Sequence, residues 1–230
     1  MRNLIGLEIK KFKLYSYFKS VAIANAAMMA LMCLIYFAEK SEGRIAFPDY
    51  EFAYDALGSI VRPVFIIFAA VLISRLIIDE YKSKSIQLLF MYPINRKKII
   101  ISKLIIVASF TFLAIVLSTF LIGGLFYLAD TVWHFVPKAL TAGQLTSIFF
   151  SLILSAIASA GMALIPLYFG MRKKSVPTTI VSAIILVSLT NSTADEVNIF
   201  KFIVVPLALA LIGCLIAYFS FRNIEKTDIN

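Results

Sequence analysis

The stretch Asp79-Glu80-Tyr81-Lys82-Ser83-Lys84-Ser85-Ile86-Gln87-Leu88-Leu89-Phe90-Met91-Tyr92-Pro93-Ile94-Asn95-Arg96-Lys97-Lys98, continuing through Ile99-Ile100-Ile101-Ser102-Lys103, lies between two long apolar runs. It opens on an acidic pair and passes into five apolar residues, Ile86, Leu88, Leu89, Phe90 and Met91, a stretch too short to cross a bilayer and in need of burial against something. Pro93 breaks it, because a proline lacks the N–H and fixes φ. Asn95 is then placed to cap a new helix. That helix begins with Arg96, Lys97 and Lys98, charges that the helix dipole disfavours at an N-terminus. Topology or a partner surface therefore selects them.

Working outward, the flanking runs belong to a chain of 230 residues that is 61% hydrophobic and 15% charged, with a mean hydropathy of +0.92. Soluble domains carry roughly 25% charge, so a soluble enzyme is excluded, and 20 Phe and 10 Tyr exclude a disordered chain. A span needs about 20 apolar residues to cross a hydrocarbon core about 30 Å thick. Six segments qualify: 21–38, 59–78, 99–127, 145–170, 176–191 and 199–221. The expected fold is an all-α integral membrane protein, a single transmembrane domain over 1–230 whose loop 79–98 joins the second and third spans. The leader Met1–Ser20 lacks the small-residue cleavage pattern of a signal peptide and is read as retained.

Positive charge fixes the expected orientation. With both termini inside, the inner side holds 17 of the 22 Lys and Arg and five of the 13 acids, a net +12, and the outer side is left at −3. The formal net charge of +9 thus resolves into juxtamembrane anchors for anionic lipid headgroups. No separate basic domain is available for nucleic acid. Within Met1–Ser20, the residues Leu4, Leu7, Leu14, Tyr15 and Phe18 share an arc of about 100° at helical spacing, which predicts an interfacial helix. Lys11 interrupts that arc.

Several chemistries lack raw material. One histidine, His134, and two distant cysteines, Cys33 and Cys214, leave no metal site, histidine triad or disulfide framework. No glycine precedes the Lys-Ser/Thr of a phosphate-binding loop, so the chain does not hydrolyse ATP by that route. No catalytic residue is assigned. No ionisable group is placed deep in a span, Arg62 and Lys201 being assigned to outer ends where they can snorkel. In the fourth span Ser151, Ser155 and Ser159 recur every four residues with Gly161 nearby, a small-residue stripe that predicts close helix packing. Gly123-Gly124, Pro166 and Pro206 are candidate bends.

The 79–103 pattern resembles that of the ATP-binding-cassette type-2 (ABC-2) exporter permeases, in particular small bacterial peptide or drug exporters with a separate ATPase chain. In the resemblance the acid is Glu80, the apolar run Ile86-Gln87-Leu88-Leu89, the turn Tyr92-Pro93-Ile94-Asn95-Arg96 and the downstream base Lys103. Where that family often has Gly-Thr before the run, this chain has Lys84-Ser85, and the long insert that some members carry between the last two spans is reduced to about Asn191–Asn198. The resemblance implies six spans, an interfacial N-terminal helix, and a coupling helix near 81–92 that docks on an ATPase subunit. It assigns ATPase coupling to Asp79, Glu80, Tyr81, Ser85, Ile86, Leu88, Leu89, Pro93, Arg96 and Lys103. No cofactor is expected on this chain, ATP and Mg belonging to the partner ATPase. The expected partners are that ATPase, a homodimeric or heterodimeric permease mate, and lipid, in a bacterial plasma membrane. The expected activity is export of an amphipathic peptide, bacteriocin-like or toxin-like, or of a hydrophobic compound. Two alternatives stand beside it: an ABC exporter of sodium or another small ion, and a non-transporting immunity or scaffold protein of the membrane.

Overall fold

The computed structural model describes residues 6–8, 11, 16–83, 96–133, 136–137, 141–191 and 204–222. Among them every regular element is helical and no strand occurs. In chain order these are α1 (Ser16–Ser41), α2 (Tyr50–Ile73), a π-helical turn (Ser74–Ile78), α3 (Asp79–Lys82), α4 (Arg96–Trp133), α5 (Ala142–Met162), α6 (Pro166–Lys173), α7 (Val176–Asn191) and α8 (Val204–Arg222). Four stretches are long and apolar enough to cross a membrane: Tyr17–Ser41, Tyr50–Lys82, Lys98–Trp133 and Gly143–Lys173. Two shorter apolar helices, Val176–Asn191 and Val205–Phe219, coincide with the fifth and sixth expected spans, of which 199–203 lie outside the described residues.

Local chemistry explains the boundaries. Asp49 caps α2 by accepting from the Phe52 N–H at 2.9 Å, and Glu51 in the first turn complements the helix dipole. Pro63 lies inside α2 and cannot donate to the carbonyl of Ser59, four residues earlier. The side-chain amide of Asn191, at the end of α7, donates to that Ser59 carbonyl at 2.9 Å. A distant residue thus satisfies the acceptor that the proline leaves bare. At α5 a capping box of Thr141 and Gln144 starts the helix. Pro166 restarts the chain as the first residue of α6 after a break at 163–165, so this expected bend is a real interruption. Pro206 falls in the first turn of α8, where its missing N–H costs little, and α4 runs unbroken through Gly123-Gly124. Gly123 instead leaves room for Tyr54, whose ring would lie 2.5 Å from a Cβ at that position.

The helices run longer than the apolar segments read from sequence. From Tyr50 to Lys82 the chain is continuously helical over 33 residues, about 50 Å, and α4 spans 38 residues, about 57 Å. Two buried apolar clusters fill the bundle. One surrounds the 79–103 end and includes Leu72, Leu76, Ile78, Ile100, Leu104 and Leu167. The other lies at the opposite end, around Met32, Phe47, Leu57, Phe65, Ile115 and Phe126. That far end is fastened by the Tyr50 hydroxyl, which donates to Asp130, and by the Val136 N–H, which donates to the other Asp130 oxygen at 2.8 Å. Helix α1 is the loosest member: 11% of its apolar stretch is buried, against 44–56% for the other three long helices. Its bare faces are left to lipid or to another chain.

Candidate functional site

The ends of the 79–103 segment meet in a buried charge cluster. The π turn at Ser74–Ile78 inserts one extra residue per turn, and the Asp79 N–H reaches back to the Ser74 carbonyl, five residues earlier. Lys103, two turns into α4 and only 1% exposed, extends its ammonium to this turn and donates to the Leu76 carbonyl at 2.7 Å. The same Nζ meets Glu80 Oε2 at 2.5 Å and Glu8 Oε2 at 3.5 Å. Glu80 offers its other oxygen to Lys11 Nζ at 2.6 Å. The four side chains form an alternating set, Lys11–Glu80–Lys103–Glu8, with no net charge.

Burial of such charges is costly unless each is paired and hydrogen-bonded. Lys103 satisfies that condition through two carboxylates and a backbone carbonyl. The wet edge of the set is Lys11, whose side chain is 48% exposed. Leu76, Ile78, Ile100 and Leu104, close in sequence to Glu80 and Lys103, belong to one buried apolar cluster. The set joins helices to one another, and among the described residues no group of three or more His, Cys, Asp or Glu could hold a metal. Its effect is mechanical. It fixes the helix that enters residues 84–95 to the helix that leaves them, and clamps both under the N-terminal segment.

Of the residues assigned to coupling from sequence, Glu80 and Lys103 are brought together here, while Asp79 is exposed and Tyr81 half-buried beside them. The Asp79 carbonyl accepts from the N–H and the hydroxyl of Ser83 at 2.9 and 2.7 Å, closing the helix. Ser85, Ile86, Leu88, Leu89 and Pro93 lie outside the described residues, and Arg96 is described only as the first residue of α4. The expected interfacial helix over 1–20 is described at Gly6, Leu7, Glu8 and Lys11, all helical, and from Ser16 onward as part of α1. Glu8 and Lys11 were not singled out as site residues. Lys11 nevertheless left a signal, as the cation that interrupts an apolar arc, and Glu80 is what it reaches.

The fourth-span residues separate by depth. Ser159 is fully buried, and Gly161 lies against α8, where an added Cβ would stand 2.7 Å from Ala210 Cβ. Gly213 faces back, its own added Cβ falling 2.2 Å from the Gly161 carbonyl oxygen. Ser151 and Ser155 instead line a cavity with Arg62. Arg62, expected at an outer end of the second span, is buried against the neighbouring helices. It lies twelve residues inside α2, is 8% exposed, and its Nε donates to the Gly58 carbonyl at 2.8 Å. Lys201 lies outside the described residues, as does His134.

A bundle of long apolar helices with a buried charge cluster joining the helices on either side of residues 84–95 is the architecture of a multi-pass membrane protein. The model of the ABC-2 family transporter protein matches residues 4–189, and the chain belongs to that family. It is 40% identical over 226 residues to the uncharacterized protein YcbO of Bacillus subtilis (strain 168), covering 98% of this chain and 99% of that protein. No solved structure matches the chain. Family membership makes it a membrane component of a transporter, and implies an ATPase subunit as the partner that drives it.

Proposed function

We propose that this chain is the permease subunit of an ATP-driven exporter in a bacterial plasma membrane, crossing six times with both termini in the cytoplasm. It works as a homodimer or with a related permease, and moves an amphipathic peptide or hydrophobic compound outward by alternating access. Residues 79–98 form the coupling loop. The observation that carries this reading is the Lys11–Glu80–Lys103–Glu8 set. A short apolar segment can transmit force from a motor only if its two ends move together, and the buried ion pairs join those ends to each other and to the N-terminal segment. Residues Asp79, Tyr81, Ser85, Ile86, Leu88, Leu89, Pro93 and Arg96 then supply the docking surface and its turn.

The test is co-purification of the tagged chain with an ATPase encoded beside it, measuring both retention and hydrolysis. Leu88→Asp combined with Leu89→Asp is expected to abolish retention while leaving the helical content unchanged, and Glu80→Lys to lower it. Retention at the unsubstituted level in both variants refutes the coupling assignment. A stable complex of this chain with a non-ATPase protein, and with no ATPase, refutes the exporter reading itself.

A further inference from the structure

A second polar site lies in the half of the bundle near the start of α2. Glu51, Asp55, Gly58 and Arg62 occur at i, i+4, i+7 and i+11, and so share one face of that helix. Facing them, Ser147, Ser151 and Ser155 recur every four residues on α5. The two stripes enclose a half-open cavity of about 140 Å³, with the buried Thr119 of α4 in its wall. That volume accommodates several waters or a small charged group.

The charges are ordered by depth. Glu51 and Asp55 are in the first two turns, where the chain enters the bundle, and Arg62 is deeper. The guanidinium folds back toward the helix start: its Nε bonds the Gly58 carbonyl, and a Cβ on Gly58 would lie 2.5 Å from Nη2. Glycine at 58 is therefore what lets the guanidinium lie flat along the cavity. Its level is then about one helical turn below Asp55, or about 5 Å. A simple cation would meet the carboxylates but be repelled by the arginine at depth. A simple anion would meet two carboxylates on its way in. A ligand with its cationic group outward and its anionic group about one turn deeper satisfies both, and the two-carbon spacing of an aminoalkyl phosphate has that reach.

We propose that this cavity binds the head group of a zwitterionic aminoalkyl phosphate amphiphile. Its ammonium is held by Glu51 and Asp55, and its phosphate by Arg62 with the serine hydroxyls. The apolar tails leave across Phe120 and Phe149, exposed neighbours whose ring centroids are 6.1 Å apart. The depth order is set by where α2 begins, so it holds for either orientation of the chain in the membrane. Binding here is independent of coupling to an ATPase, and either assignment can fail without the other.

The test uses the full chain purified in dodecyl maltoside and stripped of lipid, with phosphatidylethanolamine or phosphatidylglycerol of identical acyl chains added and bound lipid counted by native mass spectrometry. Phosphatidylethanolamine is expected to bind at least about tenfold more tightly, the size of a charge-assisted hydrogen bond. The pair Glu51→Gln with Asp55→Asn should remove that preference by weakening phosphatidylethanolamine, whereas Arg62→Gln, which withdraws the cation from the phosphate that both lipids carry, should weaken both. Gly58→Ala keeps every charge but displaces the guanidinium, and should likewise weaken both lipids. If Arg62→Gln does not fold, the Glu51/Asp55 pair at the cavity mouth decides. Equal affinity for the two lipids, or a preference that survives the Glu51/Asp55 double variant, overturns the proposal. Soluble phosphoethanolamine separates head group from amphiphile: it should compete far more weakly than the lipid, and equal competition would overturn the role of the tails.

Discussion

Replacing Lys103 with methionine removes a cation and keeps an apolar stem of similar volume, so the effect isolates the charge. Lys103 is 1% exposed, donates to Glu80 and the Leu76 carbonyl at 2.5 and 2.7 Å, and is ion-paired with Glu8 at 3.5 Å. In Lys103→Met, the buried Glu8 loses its cation and the Leu76 carbonyl loses its donor. Removing one member of a buried pair costs about 3–5 kcal/mol. Glu80 retains Lys11 at 2.6 Å, and Lys11 faces water, which places the expected loss at the low end, about 3 kcal/mol, or roughly a hundredfold in the folded-to-unfolded ratio. The assay is unfolding in detergent micelles monitored by far-ultraviolet circular dichroism, for Lys103→Met, Glu80→Gln and the double variant. The double variant leaves no uncompensated opposite charge between the pair, so it should cost at least about 1.5 kcal/mol less than the sum of the singles. Additivity within about 0.5 kcal/mol, or a loss below about 1 kcal/mol for Lys103→Met, refutes the view that the pair is an electrostatic clamp.

The helix contacts make further predictions, all read as shifts of the unfolding midpoint in the same micelles. Gly213→Ala places a methyl 2.2 Å from the Gly161 carbonyl oxygen and must part α5 from α8, with an expected loss of about 1–3 kcal/mol, greater than for Gly161→Ala. Gly124→Ala meets nothing within 4 Å and should be neutral or stabilising by up to about 1 kcal/mol; a loss equal to that at Gly213 would show that α-carbon crowding is not the cause. Tyr50→Phe removes the hydroxyl that donates to the buried Asp130, for an expected loss of about 1.5–3 kcal/mol, and no change would mean that water replaces the phenol. Asn191→Ala withdraws the donor from the Ser59 carbonyl and should cost about 1 kcal/mol only while Pro63 is present, so that in a Pro63→Ala background the effect disappears.

The apolar helices were legible in the sequence because transfer free energy is a local property that adds along the chain. Each of the six apolar runs overlaps helix among the described residues, the fourth running across the break at 163–165 and the sixth described from Val204 onward, and Asp49, Pro166 and the capping residues Thr141 and Gln144 act where such residues act in any helix. The charged cluster was half legible. Glu80 and Lys103 stood out through the resemblance to the ABC-2 permease pattern, but Lys11 meets Glu80 from 69 positions away, and no periodicity carries a pairing of that range. The burial of Arg62 was not legible for a different reason. Hydropathy begins the second span at residue 59, whereas the helix begins at Tyr50, and those nine residues put the arginine inside the bundle rather than at its rim. The cavity could not be read at all, because it requires the stripe on α2 to face the serines on α5, and tertiary contact alone decides that.

The π turn at Ser74–Ile78 also sets the rotational phase of the helical residues beyond it. An α-helix advances about 100° per residue, so the one residue that the turn accommodates rotates α3 by about that angle relative to an unbroken continuation of α2. Deleting a single residue from 74–78 would leave an acceptable helix of nearly the same length and hydropathy, yet would swing Glu80 a quarter-turn or more away from Lys103 and point a different side chain at it. The loop would still be present, but it would be attached at the wrong azimuth.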